Sequence, residues 1–219
     1  ASCVEVSETA QTRQPAAERP APTVTRAKVQ QFLTVVQRIE PVAERNCRAR
    51  APRSNCDFRI VVDDRPGQPV NAYQTLDRTG RPVVAFTLPM IGAVRNADEL
   101  AFVMGHEAAH HIAGHIPRQQ QSAMAGAVIL GGIAAITGAG QSVVDGAVDL
   151  GAGVGGRVFS KDFELEADAL GTVIAHRAGY DPVRGVAFFS QIPDPGNRFL
   201  GTHPPNAQRV ETVRRVAAG

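Results

Sequence analysis

Tryptophan is absent from this 219-residue chain, tyrosine occurs only twice, and aromatic residues make up 5% of the whole. A core built without many large rings must draw mainly on alanine, valine, leucine and isoleucine. The formal net charge is only +2, and no basic tract interleaved with aromatics is present, so nothing supports nucleic-acid binding. Long runs of large aliphatic side chains are also missing. Residues 119–144 carry no charge and have the length to cross a bilayer. However, Gly126, Gly131, Gly132, Gly138, Gly140 and many alanines leave that stretch weakly hydropathic. Closely packed helices, or a flap over a site, suit this composition better than a membrane span. Cysteine is scarce too, with Cys3, Cys47 and Cys56 the full complement.

The hydrophobic content of 43% is enough for one domain with a substantial core. Residues 1–27 are rich in Pro, Thr, Ala, Glu and Gln, the composition of a flexible tether, which leaves 28–219 as the folded domain. A helix is expected from about Arg26 to Arg45. Extended segments follow at Phe58–Asp63, near Asn71–Tyr73, and at Pro82–Phe86, with a turn at Pro66-Gly67. Residues 145–156 are glycine-rich and read as a mobile connection. Further on, Gly179 ends a helix, Asp181-Pro182 opens another through about Gln191, Asp194-Pro195-Gly196-Asn197 forms a turn, and a last helix runs from about Pro204 to Ala217.

The strongest chemical signal is His106-Glu107-Ala108-Ala109-His110. In a helix of 3.6 residues per turn, His106 and His110 are i,i+4 neighbours on one face, so both imidazoles can reach one metal ion with Glu107 beside it. That arrangement suits peptide hydrolysis, in which zinc acidifies water and the adjacent carboxylate carries its proton to the leaving amine. The flanks fit a helix. Asn96 is a capping residue with Glu99 three positions on, Leu100, Val103, Met104, Ala108 and Ile112 recur at helical spacing, and Pro117 marks the expected end.

A hydrolytic zinc ion takes three protein ligands and keeps one position open, so a third ligand is needed. In the stretch Phe163-Glu164-Leu165-Glu166-Ala167-Asp168, Glu164 and Asp168 share a helical face while Glu166 points to the other side. Glu164 is therefore the candidate ligand, and Asp168 the candidate group for orienting a ligand histidine from behind. His176 has no companion at ligand spacing and reads as surface or packing.

This combination resembles the gluzincins, and Glu-Leu-Glu-Ala-Asp-Ala at 164–169 resembles the branch containing the HtpX heat-shock protease, the BepA periplasmic protease and the CAAX prenyl protease. Asp98-Glu99-Leu100-Ala101, His115 and Thr202-His203-Pro204-Pro205 with Arg209 are similar to further elements of that family, so the resemblance spans about Asn71 to Val216. Two departures stand out. Ala109 occupies a position where many members have glycine, and His111 adds a histidine beside the motif.

The resemblance implies a mostly helical α+β zincin-like domain with a small sheet beside the metal helix, acting as a zinc-dependent endopeptidase on polypeptides. One Zn2+ would be held by His106, His110 and Glu164, with Glu107 as base and then acid, and Asp168 and Arg209 as supporting groups. Val83, Val84, Ala85, Phe86 and Thr87 form the candidate sheet edge, against which a substrate backbone pairs as an added strand; the alternative is an internal core strand, and the sequence does not separate the two. His203 returns to the site in that family. There it would either donate to the developing oxyanion or take the open position on zinc, unless it merely caps the last helix. The competing functions are another zinc hydrolase on this scaffold and a non-catalytic, chaperone-like protein.

Ala1-Ser2-Cys3 ahead of a tether resembles the mature end of a bacterial lipoprotein, with Cys3 carrying the lipid. Cys47 and Cys56, set among Arg48, Arg50, Pro52, Arg53, Ser54 and Asn55, look like a loop stapled by a disulfide. Together these features point to the bacterial cell envelope, and the family resemblance implies quality control of unfolded or misassembled proteins as the role.

Overall fold

In the computed structural model, residues 24–122, 124–125, 160–191 and 206–219 are described. The first helix, α1 (Arg26–Arg50), is capped by the Thr25 hydroxyl and buries Phe32, Val35, Ile39, Val42, Ala43, Asn46 and Cys47 along one stripe. This i,i+3,i+4,i+7 pattern is what an amphipathic helix packed on a core requires. The helix runs one turn beyond the expected Arg45, and its last turn places Cys47 in a disulfide with Cys56.

Strands β1 (Arg59–Asp63), β2 (Ala72–Leu76) and β3 (Pro82–Thr87) form a sheet of order β1-β3-β2. Here the structure corrects one expectation. Residues Val83, Val84, Ala85, Phe86 and Thr87 are not an edge, because β3 is the central strand, parallel to β1 on one side and antiparallel to β2 on the other. A strand paired on both sides has no free backbone groups to offer a substrate. Its nearly continuous burial, from Val84 through Thr87, fits that central place.

A short helix α2 (Leu88–Ala93) leads into α3 (Ala97–Ile112), whose N-cap Asn96 accepts from the Glu99 backbone amide. The long helix ends at Ile112, not at Pro117. Gly114 takes φ 65, a left-handed conformation that glycine adopts freely, and a new helical stretch covers 115–122. Pro117 falls in the first turn of that stretch, where a missing amide proton costs little.

Helix α4 (Lys161–Arg177), capped by Ser160, crosses α3 at closest approach through two glycines. After Gly179, α5 (Pro182–Gly185) continues as a 3-10 turn (Val186–Gln191), and α6 (Asn206–Ala217) closes the chain. His176 is exposed near the end of α4. The core runs from α1 through the sheet to α3 and α4, with Phe32, Phe86, Phe102, Met104 and Ile174 among its large members. Among the described residues, no helix is long and apolar enough to cross a membrane. Cys3, His203, the turn expected at 194–197 and most of 119–156 lie outside the described residues.

Candidate metal centre

Helix α3 buries almost its whole second half, so its two motif histidines face inward: His106 is 5% exposed and His110 is 2%. Their Nε2 atoms lie 3.0 Å apart. From the facing helix α4, the Glu164 carboxylate approaches both, with Oε2 3.5 Å from His106 Nε2 and Oε1 3.5 Å from His110 Nε2. Three donors thus converge on one point, two from one helix and one from its neighbour. Donors held about 2 Å from a single tetrahedral ion stand roughly 3.3 Å from each other, so this spacing fits zinc without rearrangement.

Behind the first histidine, Asp168 Oδ1 lies 2.9 Å from His106 Nδ1. A carboxylate only accepts, so His106 donates from Nδ1 and directs Nε2 into the cluster. Arg209 of α6 closes this arrangement, donating from Nε to Asp168 Oδ2 at 2.8 Å and from a terminal nitrogen to Oδ1 at 2.7 Å. The guanidinium is itself buried and lies 3.3 Å from the Phe189 ring centroid. Burial opposes ionisation of Asp168, but Arg209 and His106 outweigh it and hold the carboxyl below its ordinary range. For His106 the partners again outweigh burial, and the shift is upward. Burial disfavours the charged ring, yet bonds to Asp168 and Glu164 raise its pKa to about 9. Surroundings that favour a proton on this ring also favour a cation in its place.

His110 is pushed down to about 2, first by burial and then by the neighbouring His106 charge, against the pull of Glu164. A ring kept neutral is the form that binds metal. Its Nδ1 meets His115 Nδ1 at 2.8 Å. His111 points elsewhere, with Nε2 2.6 Å from the Asn55 carbonyl in the disulfide loop, so it does not compete for the cluster. Glu166 is the outlying acid expected of its helical face: it is exposed and pairs with His115 and Arg118.

Glu107 retains some exposure at the cleft. Desolvation raises its pKa to about 7, against the pull of His106 and of the adjacent Gln74 backbone on β2. Where β2 ends near α3, a cavity of about 230 Å3 opens, lined by Gln74, Leu76, His110, His111, Ile116 and Pro117 among others. Two participants escaped the sequence reading. Phe189 and the Gln74 backbone carry no motif, since their roles arise only from packing and strand pairing.

A helix-borne His-Glu-x-x-His facing a carboxylate from a second helix is the architecture of a metallopeptidase. The chain belongs to Peptidase family M48, whose model matches residues 30–217. That membership makes it a metallopeptidase of the HtpX and BepA kind. No curated protein matches the chain.

Proposed function

We propose that this protein is a zinc-dependent endopeptidase in which His106, His110 and Glu164 hold the metal and Glu107 moves the proton. The observation that carries this reading is the convergence of the three buried donors, with the Glu107 carboxylate on the same helix beside them. When bound, zinc supplies Lewis-acid chemistry, polarising a peptide carbonyl and lowering the pKa of water to about 7.

The chain's own residues do the rest. Glu107, on the same helix beside the three donors, is placed to take a proton from water and return it to the leaving amine. Asp168 and Arg209 keep His106 oriented so that its Nε2 stays on the metal side.

The outer edge of β2 is where a substrate backbone pairs. Ladder bonds join Asn71 to Thr87 and Asp77 to Arg81. By alternation along an antiparallel strand, the backbone groups of Ala72, Gln74 and Leu76 point away from β3. Gln74 sits beside Glu107, so a polypeptide added along this edge would pass its carbonyls over the donor cluster. The adjoining cavity then receives one substrate side chain.

An oxidising compartment is supported by the Cys47–Cys56 disulfide. That bridge and the family resemblance favour a bacterial cell-envelope location, with unfolded or misassembled proteins as the substrates. Cleavage of casein by the purified protein tests the activity. Hydrolysis should stop with a zinc chelator and return with added zinc, whereas cleavage that persists in chelator would overturn the zinc assignment.

A further inference from the structure

The two ligand histidines are not supported alike. His106 rests directly on a carboxylate closed by an arginine, through Asp168 and Arg209. His110 reaches an equivalent pair, Glu166 and Arg118, only through an inserted imidazole, His115. We propose that His115 is a positioning residue that fixes the tautomer of His110, so that His110 presents its Nε2 lone pair to the metal.

Proton counting along the chain of contacts leads to this from the outside inward. Arg118 donates to Glu166 Oε2 at 2.9 Å. The Glu166 carboxylate only accepts, so His115 Nε2, 3.1 Å from the same oxygen, carries a proton. A neutral His115 then has a lone pair on Nδ1. That atom lies 2.8 Å from His110 Nδ1, and a contact this short between ring nitrogens needs one proton between them. It must come from His110, which leaves the lone pair of His110 on Nε2, facing His106 Nε2 and Glu164. Starting instead from a metal on His110 Nε2 gives the same assignment at every atom. The two directions close on one pattern.

The geometry is held firmly. His115 is fully buried, and its ring stacks on Phe163 with centroids 4.4 Å apart and planes within 1°. Arg118 covers the Phe163 ring at 4.1 Å. Phe163, Glu164 and Glu166 all come from the first turns of α4, so one short stretch supplies the stacking face, the third metal donor and the end of the relay. Gly114, at φ 65, turns the chain after α3 so that His115 can fold back on His110.

This inference rests on His110 being a metal ligand, and its test keeps the two questions apart. Full-length protein carrying Glu107→Gln, to prevent self-cleavage, is loaded with zinc. Long-range 15N NMR should show His115 protonated at Nε2 and His110 at Nδ1. A His115 protonated at Nδ1, or at both nitrogens, would overturn the proposal. Zinc affinity, measured by chelator competition, provides the second arm. His115→Phe keeps the stacking on Phe163 and loses the acceptor, and should weaken zinc binding roughly 10–100-fold. His115→Gln restores an accepting oxygen and should recover most of that loss, a rescue that a purely structural role would not produce. If His110→Ala removes zinc while both His115 variants bind as tightly as the parent, the positioning role alone fails. If His110→Ala leaves zinc bound, the metal assignment fails and the positioning role falls with it.

Discussion

A side chain on Gly171 would collide with the backbone of His106: a Cβ there would stand 2.8 Å from the His106 nitrogen and 2.9 Å from its Cα. This crossing of α4 on α3 sets the distance between Glu164, two turns earlier on α4, and the histidine pair. Helix propensity alone favours alanine over glycine by roughly 0.5–1 kcal/mol. The clash is with backbone and has no flexible end to give way, so overpacking at about 1–3 kcal/mol should win. Gly171→Ala should therefore lower the unfolding midpoint and weaken zinc binding together. A stabilised variant with unchanged zinc affinity would show that the crossing tolerates a methyl group.

Arg209 is the second point of leverage. Its guanidinium is buried and satisfies both oxygens of Asp168. Removing one partner of a buried ion pair typically costs about 3–5 kcal/mol, because the other charge is left uncompensated. Arg209→Met should show a loss of that order in chemical denaturation, whereas Asp168→Asn should lower zinc affinity roughly 10–100-fold by loosening His106. An Arg209→Met protein as stable as wild type would contradict the buried-pair account.

The neighbouring acids of α4 should behave differently. Glu164→Ala removes a donor from the cluster and should strip most of the zinc, as measured by metal analysis. Glu166→Ala only shortens the relay behind His110 and should retain the metal with reduced affinity. Zinc lost from the Glu166 variant and kept in the Glu164 variant would reverse the ligand assignment.

Much of this site could be read from the chain because it is local. The i,i+4 spacing of His106 and His110, the Asn96 cap, and the shared face of Glu164 and Asp168 follow from helical periodicity alone. Sheet order is non-local and was not legible, so Val83–Thr87 looked like an edge until β1 and β2 were found on either side. A signal was present, since an unbroken apolar run such as Val83-Val84-Ala85-Phe86 is what a doubly flanked strand carries. The end of α3 was also encoded, in Gly114 and not in Pro117. His115 stood out only by resemblance to a family. That it supports His110 depends on α4 arriving with Phe163 and Glu166, which no spacing in the sequence predicts.

The Cys47–Cys56 bridge closes a short loop between α1 and β1 and holds Asn55 against His111. By the loop-entropy relation, a bridge of this span contributes about 2–3 kcal/mol. A Cys47→Ala, Cys56→Ala double variant should lose that much in denaturant unfolding, and reductant should produce a matching shift in the parent alone. Free thiols at both positions in protein from an oxidising compartment would contradict the bridge and weaken the envelope assignment.

In the proposed zinc peptidase Glu107 carries protons while His106, His110 and Glu164 hold the metal, and Glu107→Gln separates the two roles most directly. Zinc content and casein cleavage should be measured on the same preparation of this variant and of wild type. The prediction is about one zinc per chain in both proteins, with hydrolysis in wild type only. A variant that has lost its zinc, or one that retains wild-type hydrolysis, would contradict it.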